Sequence, residues 1–441
     1  MKISMKNLFY VFLCTTLLCF YSCNDDDSDY KTYNVPVRLV YPAGSEFSVK
    51  EGVTVKLLNN NSMVSEAQTD ANGVATFTVP EGIYEASVSD ERTSGASSVT
   101  LNAIKSNISI TSAWLSTDVV ELDLIAAISG QIIIKELYSG GCPTNDGSGS
   151  FARDQYVTLY NNSNSTLDLS NVCLAMVLPY NATLANKDYE GDALFYASEG
   201  WIPAGTGVWY FTSNVSLDPG KQITIAITNA IDNTVTYSSS INFNKPEYYC
   251  TYDLTSYNNA LYYPAPVATI PTSHYLKAHH YGTSNAWTLS NTSPAFFIFS
   301  VKGTTLDNFI ADASNIDLYG GSSSQVRKKV PVDWVIDGIE VFSKGATNNM
   351  KRLTSAIDAG YTELTNKLGY SSYRNVNKEA TEAIEGNKAK LVYNYNLGVD
   401  TTDPSGIDAE ASMKNGARII YKDTNNSSND FHQRKTAALK N

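Results

Sequence analysis

The chain has 441 residues, 43% of them hydrophobic, with 32 Lys+Arg against 44 Asp+Glu and a formal charge of −12. That length leaves room for two or three domains. No basic block interrupts the negative balance, so the surface should repel phosphate backbones, and nucleic acid is not an expected partner.

Lys2 and Lys6, an apolar run from Leu8 to Phe20, and then Ser22 and Cys23 give the three-part layout of a secretory signal over residues 1–22. The run falls short of the roughly 20 apolar residues that a spanning helix needs. Phe20-Tyr21-Ser22-Cys23 resembles the bacterial lipobox, in which a small residue precedes the cysteine whose thiol is acylated. The resemblance implies lipidation of Cys23, with residues 23–33 as an acidic tether. Asp25, Asp26, Asp27 and Asp29 resemble the signal that sends lipoproteins of Bacteroidota to the outer leaflet of the outer membrane. Each buried methylene of an acyl chain contributes about 0.8 kcal/mol, so two or three chains hold firmly to outer-membrane lipid. No later stretch is apolar for long enough to cross a membrane, so the rest is expected to be soluble on one side of it.

Cys14 and Cys19 would leave with the signal, which leaves Cys142, Cys173 and Cys250. An odd number permits one disulfide at most. Cys173 lies in the apolar run Val172 to Leu178 and reads as a buried strand residue, while Cys142 and Cys250 lie in loop-like sequence and are the favoured pair. No Cys/His spacing suggests zinc.

Dense Gly and Pro punctuation between short β-branched or aromatic runs makes the fold all-β. Residues 34–127 carry seven alternating runs, beginning at Val37, Val53, Val74, Tyr84, Val99, Ile108 and Val119, enough for a seven-stranded β-sandwich. Pro36 is expected just ahead of the first strand, and Asp70-Ala71-Asn72-Gly73 to make a tight turn. The stretch from Thr69 through Phe77 to Gly82-Ile83-Tyr84 resembles the carboxypeptidase regulatory-like, prealbumin-like module, which implies a spacer or adapter.

The second unit is expected over 130–441. Ile132 to Leu137 is a strand, and Asp154 to Ser163 followed by Leu167-Asp168-Leu169-Ser170 resembles the opening of a lamin-tail domain, an Ig-like β-sandwich, with Thr158 where that family usually has an acid. Leu217-Asp218-Pro219-Gly220 fits the same pattern, and Tyr421 to Phe431 resembles the close of bacterial lamin-tail-like domains. Residues 228–300 and 344–418 read as long insertions, and the helical spacing of Met350, Leu353, Ile357 and Tyr361 is broken by Asp358-Ala359-Gly360. Together the two units resemble an uncharacterised family of Bacteroidota surface lipoproteins, whose genes tend to neighbour those of outer-membrane importers.

His274, His279 and His280 cluster, but adjacent histidines on a strand face opposite ways and no carboxylate lies within ten residues, so a metal site is not expected. No nucleophile motif accompanies them. Asp333, Asp337 and Glu340 flank Trp334, and period-2 alternation there reads as a strand with a wet face rather than a glycosidase pair. No catalytic residue and no cofactor are therefore assigned. The candidate site is the aromatic stretch within 244–290: Tyr248, Tyr249, Tyr252, Tyr257, Tyr262, Tyr263 and Trp287. Exposed rings of this kind favour interfaces and stacking on flat ligands, whereas buried ones would be core under a long loop. The expected function is a non-catalytic, cell-surface lipoprotein that captures a ligand or serves a barrel-shaped outer-membrane importer. The alternative is a structural or adhesive protein that presents its sandwiches.

Overall fold

The computed structural model describes residues 31–42, 47–59, 62–94, 97–128, 131–228 and 230–440. The residues read above as a signal, Cys23 and the acidic run through Asp29 lie outside the described residues.

The first unit forms eight strands: β1 (Thr32–Val40), β2 (Thr54–Asn59), β3 (Ser62–Gln68), β4 (Val74–Pro80), β5 (Gly82–Ser94), β6 (Ser97–Ile110), β7 (Val120–Asp123) and β8 (Ile125–Ile128). They make one sheet of order β4-β1-β7 and another of order β3-β2-β5-β6-β8. Alternation drives the packing: Tyr33, Val35, Val37 and Leu39 of β1 are buried every second residue and meet Val55, Leu57, Phe77 and Leu101 in one core. The two runs expected at Val99 and Ile108 are a single long strand, the run at Val119 divides into β7 and β8, and β3 was not expected. Its sequence, SMVSEAQ, is polar and pairs only with β2, so the period-2 signal of a half-buried strand is weak there. Pro36 lies inside β1, and because β7 pairs with β1 only from Val37 onwards, the ring interrupts no bond of that pairing. Asp70 Oδ1 accepts from the backbone N–H groups of Asn72 and Val74 (both 2.9 Å), with Gly73 at φ +74°, so the tight turn is an Asx-type loop that needs glycine.

Twelve further strands form one large sheet: β9 (Ile132–Tyr138), β10 (Tyr156–Asn161), β11 (Val172–Met176), β12 (Gly207–Tyr210), β13 (Gln222–Ala226), β14 (Tyr249–Thr251), β15 (Tyr275–His280), β16 (Ala295–Ser300), β17 (Val335–Ser343), β18 (Thr362–Leu364), β19 (Ser371–Arg374) and β20 (Phe431–Arg434). The order is β18-β17-β16-β11-β12-β15-β14-β13-β10-β9-β19-β20. The sheet folds over a core that includes Val157, Leu174, Trp209, Ile225, Trp287 and Phe296. Its two ends meet through side chains, the Ile134 N–H donating to Asp337 Oδ2 (2.6 Å) and the Thr365 N–H to Gln433 Oε1 (2.5 Å). A smaller sheet, of strands 201–205, 316–318 and 326–331, covers Ala175, Phe297 and Phe299 on the outer face.

Residues 228–300 and 344–418, expected as long insertions, carry strands of the large sheet: 228–300 supplies β14 and β15 at its middle and β16 third from one end, and 344–418 supplies the edge strand β18 and β19 beside the other edge. Strands of three to six residues separated by long polar connections are too short for periodicity to reveal. Residues 350–361 form turns rather than a helix, and Ile357 packs so tightly on Gly338 that a Cβ there would sit 2.7 Å from its methyl group. Cys142 and Cys250 are not bridged. Both are buried in short strands, as Cys173 is in β11, and all three thiols are free. Burial pushes the Cys142 and Cys173 thiols up to about 12 and raises Cys250 as well, so each remains a protonated, unreactive thiol.

Candidate functional site

The aromatic stretch within 244–290 is core, not an exposed platform. Tyr257, Tyr263 and Trp287 are 0%, 2% and 0% exposed and surround Trp209 at ring-centroid distances of 5.5, 5.9 and 6.4 Å. Their polar tips are consumed internally: Tyr257 OH donates to Thr206 O (3.2 Å), Tyr263 OH donates to Trp287 O (3.1 Å) and accepts from the Trp287 N–H (2.9 Å). Tyr248, Tyr249, Tyr252 and Tyr262 are half-buried and pack on the same interior. With β14 and β15 central in the sheet, a long covering segment must bring large rings to fill the space beneath it, which is why a tyrosine-rich loop became core.

Asp337 and Glu340 are also corrected. Neither faces water: they are 2% and 0% exposed, because both faces of β17 are covered. Each is neutralised by a buried arginine. Glu340 Oε1 receives Arg352 Nε (3.0 Å) and Nη2 (2.6 Å), and its Oε2 receives the N–H groups of Arg352 and Leu353 (both 2.8 Å). Arg374 pairs with Asp337 through Nη2 and with Asp423 through Nη1 (3.2 Å), lies 3.7 Å from Asp430, donates from Nε to Ile134 O (2.7 Å), and covers the Phe431 ring. The Asp423 to Phe431 segment is therefore a clasp that ties the chain's end to the seam where β17 meets β9.

A surface groove with convergent polar groups, about 290 Å³, lies over β11 and β12. Cys173 lies at its floor, with Asn171, Tyr210, Thr305 and Asp307 along the walls. Tyr210 and Lys277 are cross-strand partners, and β15 alternation sends His279 to the same face, where its ring stacks on Tyr210 at 5.0 Å and 17°. His279 Nε2 lies 3.0 Å from Asp307 Oδ1, whose side chain is 84% exposed at the mouth. Burial, with the nearby Asp307 and Asp253 carboxylates, raises the Tyr210 phenol, so it stays neutral and able to donate. His280 faces the other way onto Tyr257, at 4.5 Å, and His274 stacks on Tyr249 at 4.0 Å. The carboxylate missing from the local sequence comes from 28 positions downstream of His279, beyond any spacing rule. Among the described residues no group of three or more His, Cys, Asp or Glu is placed to hold a metal ion, and no helix is long and apolar enough to cross a membrane. A second cleft, about 170 Å³, lies where Leu58 of the first unit meets the body, and the Lys344–Asp400 ion pair stands in its wall.

Residues 218–438, half of the chain, match the sequence profile described as a protein of unknown function, DUF4876. The chain belongs to the DUF4876 family. A crystal structure of a DUF4876 protein from Bacteroides thetaiotaomicron shares the fold, with a TM-score of 0.51 at 19% identity over 90% of this chain and 94% of that one. A DUF3823 protein from Parabacteroides merdae aligns at a TM-score of 0.15 and 13% identity, over 33% of this chain and 66% of that one. No curated protein sequence matches significantly. The matched span of this DUF4876 chain holds β13 to β20 and Arg374 with its three carboxylates, whereas Ile134 and, in the groove, Cys173 and Tyr210 lie ahead of it.

Proposed function

We propose that this DUF4876 protein is a lipid-anchored protein of the outer-membrane surface that captures a small polar ligand in the Tyr210–Asp307 groove and serves a barrel importer, without catalysis. The anchor rests on the signal-like start and Cys23, and display on the acidic run behind it. The module likenesses, regulatory-like for 34–127 and lamin-tail-like for the body, belong to the same proposal. The observation that carries the ligand reading is the groove: a ring face backed by His279, an exposed carboxylate and flanking hydroxyls converge on one concavity, the usual make-up of a site that orients a polar ligand. The alternative, a structural or adhesive presenter, draws support from the burial of the aromatic stretch, which takes its largest rings away from any surface.

Pull-down from intact cells tests it. A barrel protein should accompany the wild type, and a small polar solute released by denaturing the recovered wild type should be missing from the Tyr210→Ala, Asp307→Ala double variant, whose melting temperature stays within a few degrees because both side chains reach solvent. Equal recovery of that solute from both would favour the presenter, and acylation persisting in Cys23→Ala would remove the anchor.

A further inference from the structure

Lys135 is unusual for a lysine, with only 1% of its side chain exposed. It is buried because the pairing of β9 with β10 slips between Thr158 and Leu159: Glu136 pairs with Thr158 and Ile134 with Leu159, so Lys135 is the extra residue of a β-bulge. The bulge turns two consecutive charged side chains to one inner face. Glu136 has its own partners there, accepting from Tyr156 OH (2.6 Å), Ser371 Oγ (2.6 Å) and the Ala438 N–H (2.9 Å). Lys135 reaches a different set. Its Nζ lies 2.6 Å from Gln222 Oε1 and 2.6 Å from Glu410 Oε1, with the Tyr373 and Tyr421 rings at 5.5 and 5.9 Å.

An amine, a carboxamide and a carboxylate within hydrogen-bond reach of one another, walled by aromatic rings, are the full reactant set for an amide exchange. We propose that Lys135 and Gln222 are joined by an isopeptide bond, with Glu410 as the proton carrier. Glu410 accepts a proton from the Lys135 ammonium, which frees the amine lone pair. Nζ then attacks Gln222 Cδ. The Cδ–Nε2 bond breaks as Glu410 returns that proton to the leaving nitrogen, and Glu410 then takes the second proton of Nζ and passes it to the departing ammonia, so one N–C bond forms, one breaks, and nitrogen leaves as ammonium with no change of oxidation state. Burial pushes the Glu410 carboxyl up, but the Lys135 charge and hydrogen bond outweigh it and hold the group ionised and ready to accept. Tyr373 OH, 2.8 Å from Glu410 Oε1, fixes the carboxylate in place. Gln222 is exposed, which gives ammonia a way out. Fixed neighbours replace a bimolecular encounter, the condition under which such reactions reach high effective concentrations. The product would staple β9 to β13, the two strands that flank β10.

Peptide mapping of the purified full chain by mass spectrometry decides it. The expected result is a branched peptide containing Lys135 and Gln222, lighter by one ammonia than the sum of its two arms. That peptide should vanish in Glu410→Gln, which keeps both bonding residues, and in Lys135→Arg. Linear wild-type peptides carrying free Lys135 and Gln222 would overturn the proposal, as would an ammonia deficit that maps to any other residue. If a variant fails to fold, the wild-type map alone still separates the branched chain from the linear one.

Discussion

Removing the Arg374 guanidinium should come close to unfolding the body. Arg374 is 1% exposed and answers three carboxylates, those of Asp337, Asp423 and Asp430, while holding Ile134 O and Lys422 O. Arg374→Met keeps much of the volume over Phe431 but leaves the acids facing one another without a cation. Breaking a buried pair in this way costs about 3–5 kcal/mol, against a total stability of roughly 5–15 kcal/mol for a typical domain. The carboxyls answer partly by taking up protons, so Arg374→Met with Asp337→Asn should lose less than the sum of the two single changes. Urea unfolding followed by the fluorescence of buried Trp209 and Trp287 measures this as a fall in midpoint at unchanged slope. A loss under about 1 kcal/mol, the value typical of a surface ion pair, would refute the view that this clasp holds the ends of the sheet together.

Tyr263→Ala should cost about 3–5 kcal/mol, because a buried ring is lost and both backbone groups of Trp287 lose their partner; a melting temperature unchanged within a degree would return the aromatic stretch to the surface. His432 has both nitrogens engaged, Nδ1 with Asn375 Oδ1 (2.7 Å) and Nε2 with Tyr395 OH, and burial, helped by the Arg434 charge, pushes its imidazole down to about 3. Since the unfolded group titrates near 6.5, the unfolded chain binds the extra proton between those values, so this contribution is whole above about 6.5 and has fallen by roughly 3 kcal/mol at pH 4. Buried Asp358, Asp403 and Asp430, raised by burial, act in the opposite direction, so the measurement is the difference in stability between wild type and His432→Gln across that range; a flat difference would exclude the effect.

What was legible in the sequence was whatever one strand and its turn decide locally. Alternation from Val37 located the second half of β1 but not its start at Thr32, because Pro36 read as the strand's border, and Asp70 to Gly73 placed the turn from β3 to β4, because that information lies within four residues. The close at Asp423 to Phe431 was legible only as a likeness, since its meaning depends on Arg374, Asp337 and Ile134, up to some 300 positions away, which a linear reading cannot bring together. The aromatic stretch failed for a related reason. Tyrosine at an interface and tyrosine beneath a loop have the same composition, and the difference lies in whether β14 and β15 stand at the edge or the centre of the sheet. The acids of β17 show the same limit from the other side, because Asp337 has the parity of a wet strand face and Glu340 that of the opposite one, yet both sit where both faces of the strand are covered. A buried carboxylate is tolerated only with its cation supplied, and each cation here comes from a different segment. For this fold, then, the signal for a buried charge is a count of arginines and acids that have no business inside, settled by three-dimensional pairing and by no spacing along the chain.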